Sequence, residues 1–164
     1  MGSSPPLTIR NLAIRIEDRP ILCCDEFTLR QGDKVLLTSR SGGGKSVFLK
    51  CLAGLLPLHV VERGTFHRGD GAAGVTYAEY ARRRSGFAGM GFVFQDAYNA
   101  LHPFRPISRQ IREGRPGESD SGLGGDLERF RLADLQLLQA DRYRDRLSGG
   151  QCQRVSLLLA ADEN

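Results

Sequence analysis

The sequence predicts an α/β fold in which a strand–loop–helix core carries an inserted, mainly helical segment. Three observations predict it: apolar–polar alternation over Leu7–Ile16, a small-residue loop between an apolar run and a helical pattern around Lys45, and helical apolar spacing from Leu127 to Leu138. Leu7 to Ile16 reads as a half-buried strand, Asp18-Arg19-Pro20 as a turn, and Ile21 to Leu29 as a second strand. After the turn Gln31-Gly32-Asp33, Lys34 to Thr38 is a short apolar run of the kind found in buried parallel strands. Ser39 to Gly44 is a loop, Lys45 to Ala53 a helix, and Gly54 its closing residue. Val60 to Phe66 is a third short strand, Gly69 to Gly74 a glycine-rich turn, and Tyr77 to Arg84 a helix. Met90 to Phe94 is a second buried-strand candidate. Residues 98–146 are polar and turn-rich, with a flexible stretch expected over Glu113–Gly125 and an amphipathic helix over Leu127–Leu138. No internal repeat is found.

Composition narrows the function classes. The chain has 164 residues, 23 Lys plus Arg against 19 Asp plus Glu, and a net charge of +4, enough for one domain with a real core. The dense basic run Arg82-Arg83-Arg84 has no interleaved aromatic residues, so it reads as a solvated helix end, and no nucleic-acid partner is expected. The longest apolar stretch, Cys51–Val61, is too short for a bilayer and is interrupted by Pro57. The start, Met-Gly-Ser-Ser-Pro-Pro, lacks the basic flank and apolar core of a secretory signal, and Pro6 stands where a myristoylation motif wants Ser or Thr. A soluble cytoplasmic protein is the expectation. Cys23, Cys24, Cys51 and Cys152 form no CxxC pair; adjacent Cys23 and Cys24 would point to opposite strand faces, so reduced structural thiols are expected.

Ser41-Gly-Gly-Gly-Lys-Ser46, set between an apolar strand and a helix, has the make-up of a phosphate-binding loop. Glycines let backbone N–H groups approach phosphate oxygens, and the helix start adds partial positive charge. Lys45 would reach the β- and γ-phosphates, and the Ser46 hydroxyl would complete the coordination of Mg²⁺. The pattern G-x-x-x-x-G-K-[ST] wants glycine where this chain has Ser39, a position that would cost backbone freedom if it needs positive φ. The bland alternative is a flexible glycine turn that happens to precede Lys-Ser. The flanking strand and helix argue for the phosphate reading.

Leu147-Ser-Gly-Gly-Gln-Cys-Gln-Arg154 is the most specific element: a serine cap and two glycines at a helix start make a second anion-binding N-terminus. It resembles the signature motif of the ATP-binding subunits of ABC (ATP-binding cassette) transporters. In that family it follows a Walker A loop and a Q-loop. Here Arg40-Ser41-Gly42 with the following Gly-Gly-Lys-Ser46 is similar to the first, and Phe92-Val-Phe-Gln-Asp96 to the second. Leu52-Ala-Gly-Leu-Leu-Pro57 is similar to the end of the family's first helix, and Asn99-Ala-Leu-His-Pro103 resembles its peptide and nickel importer branch. The resemblance runs from about Leu7 to Ala160. A P-loop kinase is disfavoured, because the Ser-Gly-Gly-Gln motif has no place in one.

The resemblance implies a P-loop NTPase (RecA-like) core with an antiparallel β subdomain and an inserted helical subdomain. Its parts would be residues 1–97 (β and P-loop core), 98–146 (helical subdomain) and 147–164 (signature motif and helix). It implies that Ser39, Arg40, Ser41, Gly42, Gly43, Gly44, Lys45, Ser46 and Val47 cradle the triphosphate of ATP. Val47 stands where the family has Thr and so lacks its hydroxyl. Lys45 and Gln95 are the implied catalytic pair, Ser46 and Gln95 the implied Mg²⁺ site, and Gln95 the link to a membrane partner. Ser148, Gly149, Gly150 and Gln151 would contact the γ-phosphate held by a second ATP-binding subunit. Transmembrane transporter subunits are the implied partners, which would place the chain at the inner face of the membrane, and peptides or nickel are the suggested cargo. The position that stacks adenine in the family corresponds approximately to Ile16, which can pack but not stack.

The family continues past its signature helix to an apolar strand ending in Asp-Glu, the Walker B motif, whose Glu is the general base. Only 15 positions separate Leu147 from Asp162, and the helix started at Ser148 should fill most of them. Asp162 and Glu163 are therefore expected at a helix end, with a compressed Walker B as the alternative. The first reading has the C-terminal part of the core missing, and makes a truncated module that binds ATP without appreciable hydrolysis the alternative to a working ATPase.

Overall fold

A computed structural model describes residues 6–69, 71–82, 91–115, 117–139 and 141–161, and divides into two compact units, residues 1–89 and 90–164. The first is built on a four-stranded antiparallel sheet of order β2-β1-β3-β4, with β1 Leu7–Ile16, β2 Arg19–Leu29, β3 Val61–Arg68 and β4 Val75–Thr76. The β1–β2 hairpin turns on Glu17 and Asp18, both at positive φ (48° and 60°), the two-residue geometry that suits strand twist. It is one residue tighter than the predicted turn, so Arg19 and Pro20 join β2. Pro20 lacks an N–H, and β2 is the edge strand that tolerates this.

In β1 the alternation holds for Leu7 and Ile9, then rephases at Asn11 (φ 52°). Leu12, Ala13 and Ile14 are consequently all buried, where strict alternation would expose one. Helix α1 (Lys45–Leu52) buries Phe48, Cys51 and Leu52 in the core of this unit, with Phe48 edge-on to Phe27 of β2 at 5.1 Å. Gly54 ends it as predicted: at φ 64° its N–H bonds the Cys51 carbonyl and the Leu55 N–H bonds that of Lys50. Helix α2 (Tyr77–Arg82) pins the same end, Tyr77 Oη donating to Leu56 O (3.1 Å) and accepting from Leu56 N (2.9 Å), and Tyr80 Oη donating to Leu52 O. Arg83 and Arg84, which the sequence reading added to this helix, lie outside the described residues.

Two predicted strands are corrected. Lys34–Thr38 makes no ladder among the described residues, and its Val35 and Leu36 are 52% and 85% exposed. Gly91–Phe94 is likewise not a strand, and Met90 lies outside the described residues. An apolar run becomes a strand only when a neighbour pairs its N–H and C=O groups. Neither run has one among the described residues.

The second unit is helical: α3 Ala97–Ala100, α4 Ile107–Gly114, α5 Asp120–Arg129 and α6 Gly149–Ala160, around Leu101, Ile107, Ile111, Leu123, Val155 and Leu158. The stretch expected to be flexible, Glu113–Gly125, instead supplies the end of α4 and half of α5. The helix expected over Leu127–Leu138 starts earlier and stops at Arg129. Ser119 caps its start by accepting from Gly122 N at 3.2 Å. Arg131, at φ 55°, ends it, with Leu132 N bonded to Leu127 O and Arg131 N to Glu128 O. The apolar residues that suggested the helix still reach the core, Leu132 and Leu137 fully.

Candidate functional site

The loop before α1 is preorganised for an anion. Gly42 and Gly44 take positive φ (78° and 80°), and Gly44 caps α1 without any side-chain hydrogen bond, so no side chain occupies the first-turn N–H groups. A Cβ at Gly43 would collide with the Ser39 side chain, 2.8 Å from its Cβ, which keeps the loop backbone bare. The Lys45 ammonium folds back over the loop and donates to Ser39 O (3.1 Å), Ser39 Oγ (3.0 Å) and Arg40 O (3.3 Å). Ser39 is not among the positive-φ residues, so the serine that breaks the glycine pattern carries no backbone strain. Its hydroxyl serves instead as an acceptor for Lys45. Ser46 is exposed on the first turn of α1, while Val47 is half-buried and packs on the core. Ile16, at the end of β1, is also half-buried.

In the second unit Gln95 is exposed just ahead of α3, whose N-terminus Asp96 caps: Oδ1 accepts from Asn99 N at 3.1 Å and Oδ2 from Asn99 Nδ2 at 2.7 Å. The Asn99 backbone N–H, then its amide, hold the Asp96 carboxyl below the usual carboxylate range, with a smaller contribution from Arg144. The structure brings Gln95 beside the start of α6. Gln95, Asp96, Tyr98, Gly149 and Gln153 line one open cleft of about 510 Å³.

The start of α6 is closed by a reciprocal cap. Gln151 N donates to Ser148 Oγ at 3.3 Å, and Ser148 N donates to Gln151 Oε1 at 2.7 Å. Gly149 and Gly150 stay exposed beside it. The far end of α6 meets Arg115, which donates to Leu158 O at 3.0 Å and pairs with Asp126 at 3.0 Å and Glu118 at 3.5 Å. This network and the Arg144 contacts were not visible in the sequence. An Asp-x-x-Asn cap was, in Asp96 and Asn99, and could have been read.

All four cysteines are free thiols. Cys23 is exposed and Cys24 half-buried, as opposite strand faces require. Burial pushes the Cys51 thiol up to about 12 and raises Cys152 and Cys24 as well, so these three are not primed as nucleophiles. Among the described residues no group of three or more His, Cys, Asp or Glu could hold a metal ion, and no helix is long and apolar enough to cross a membrane. Asp162 and Glu163 lie outside the described residues; α6 itself does fill positions 149–160.

A lysine-bearing glycine loop on an α/β unit and a Ser-Gly-Gly-Gln helix start beside a glutamine define a P-loop NTPase of the cassette type. The ABC transporter family matches residues 22–164, and the chain belongs to it. Over 154 residues it is 32% identical to the aliphatic sulfonates import ATP-binding protein SsuB of Ralstonia nicotianae, covering 94% of this chain and 48% of that one. It is 32% identical over 173 residues to a putative peptide import ATP-binding protein of Brucella abortus (98% and 51%). It is also 31% identical over 178 residues to the nickel import ATP-binding protein NikE of Rhodospirillum rubrum (96% and 60%). A solved bacterial Atm1-family ABC exporter with ATP bound has a similar fold, with TM-score 0.70 and 26% identity over 96% of this chain and 27% of that one. The chain spans about half the length of the curated relatives it matches.

Proposed function

We propose that the chain is an ATP-binding part of an ABC transporter, with its nucleotide site at Ser39–Val47. The observation that carries this is the first turn of α1: a helix start free of side-chain caps, behind two positive-φ glycines, with a lysine ammonium already held over the loop. These residues fit a triphosphate. The bare backbone of Gly42–Gly44 admits close approach, and the charge of Lys45 together with the helix dipole favours an anion. ATP with Mg²⁺, when bound, supplies the transferable phosphoryl group and the cation that neutralises it. Lys45 would exchange its contacts with Ser39 and Arg40 for phosphate oxygens. Ser46 would contribute its hydroxyl oxygen to the metal. Ser148, Gly149, Gly150 and Gln151 would present a second helix start to the nucleotide of a partner ATP-binding subunit.

On this reading residues 1–97, 98–146 and 147–164 serve as β and P-loop core, helical subdomain and signature segment. The helical subdomain would face transmembrane subunits, with the chain at the inner surface of the membrane. The relatives' names span sulfonates, peptides and nickel, so a small polar solute or ion is the class of cargo they support. Isothermal titration with ATP·Mg²⁺ tests the site. Lys45→Ala, which removes charge-assisted hydrogen bonds of about 1.5–3 kcal/mol, should weaken binding about 10- to 100-fold. Unchanged affinity would show that the loop is not the nucleotide site.

A further inference from the structure

Arg144 joins two stretches of the second unit that the sequence separates by more than 40 residues. Its Nη1 donates to the Tyr98 carbonyl at 2.9 Å, to the Leu101 carbonyl at 3.0 Å and, more weakly, to Asn99 Oδ1 at 3.4 Å. Its guanidinium carbon lies 4.4 Å from the centre of the Tyr98 ring. The recipients belong to or directly follow α3, a helix of only four residues. Such a helix is too short to persist by its own hydrogen bonds and depends on its ends being held. Asp96 holds one end through Asn99, and Arg144 holds the other by occupying carbonyls that have no partner within the helix. The cation also helps keep Asp96 ionised, so the two caps support each other.

On its own side, Arg144 opens the 3₁₀ turn Arg144–Arg146 that delivers the buried Leu147 and then Ser148 to the start of α6. Its carbonyl accepts from Leu147 N at 3.1 Å and from the Cys152 thiol at 3.9 Å. One side chain is thus tied to the helix that follows Gln95, and its backbone is tied to the first turn of the signature helix. We infer that Arg144 is a positioning residue that makes the Gln95 segment and the Ser148 cap move as one, so that a displacement at Gln95 is passed to the signature motif. The functional meaning of that coupling rests on the ATP-binding reading above; the coupling itself does not.

Amide hydrogen exchange on the full chain, resolved by residue, tests it. The reporters are Asn99 and Ala100, bonded to Asp96, and Gln151 and Cys152, bonded to Ser148. In Arg144→Ala both pairs should exchange about tenfold faster, while Leu123 of α5 and Phe130 at its C-cap, bonded to Ser119 and Asp126, keep their wild-type rates. Arg144→Lys should restore part of the protection at both pairs together, because an ammonium can meet one carbonyl but not span two carbonyls and a ring. Tyr98→Ala removes only the ring and should accelerate Gln151 and Cys152 a few-fold, which keeps the test open if Arg144→Ala fails to fold. Acceleration confined to Asn99 and Ala100, or spread equally to α5, would overturn the coupling. Adding ATP·Mg²⁺ separates the two readings: no response anywhere in the wild type would count against nucleotide binding and leave the Arg144 result standing on its own.

Discussion

Helices α1 and α6 start from similar letters, Ser41-Gly-Gly-Gly44 and Ser148-Gly-Gly150, yet their first turns are wired differently. In α1 the capping residue is a left-handed glycine with no side chain to offer, and the nearby serine at position 39 bonds Lys45 instead. In α6 the serine itself is the cap, and Gln151 returns the bond. The same composition therefore gives an N-terminus with no side-chain cap in one unit and one whose Gln151 N–H is bonded to a serine in the other. What decides is where the serine falls relative to the helix start. The C-termini differ too: α1 closes on its own backbone through Gly54, whereas α6 closes through the Ala161 N–H and adds Arg115 as a second donor to the Leu158 carbonyl. Helix α1 thus starts without a side-chain cap, and α6 starts with a reciprocal one.

Breaking the far end of α6 should have the largest effect. Arg115 is 9% exposed, and its partners Glu118 and Asp126 are 12% and 14% exposed. Arg115→Ala would remove the cation that meets the shielded Asp126 carboxylate at 3.0 Å and should cost the second unit about 3–5 kcal/mol in urea unfolding. Next comes Gly44→Ala. An alanine forced to φ 80° costs about 1–2 kcal/mol, and its Cβ would sit 3.3 Å from the Ile21 carbonyl. The expected result is a lower melting temperature for the first unit and weaker ATP binding together. The smallest effect belongs to Ser148→Ala, which opens the reciprocal cap at a cost of about 1 kcal/mol. Its signature is faster exchange at Gln151 without the loss of first-unit stability expected of Gly44→Ala.

What the sequence made legible was local. The β1–β2 hairpin could be read because its alternation and turn residues lie within two dozen positions, and the phosphate loop because glycine, lysine and serine carry their chemistry in their identity. Lys34–Thr38 misled because strand formation depends on a partner elsewhere, and apolar content alone does not supply one. The end of α5 misled because Arg131 takes a left-handed φ for which arginine has no preference, while Leu132 and Leu137 bury themselves without any helix. Arg144 and Arg115 were invisible for a third reason. Their main acceptors are backbone carbonyls at Tyr98, Leu101 and Leu158, and a carbonyl leaves no mark on the sequence.

The contrast between the two helix starts is tested most directly by amide-resolved NMR of the dilute chain titrated with ATP·Mg²⁺. The account predicts shifts at Gly42–Val47 that saturate with nucleotide and that, in Lys45→Ala, need about 10- to 100-fold more nucleotide to appear. Shifts that appear at Ser148–Cys152 with Gly42–Val47 silent would contradict it.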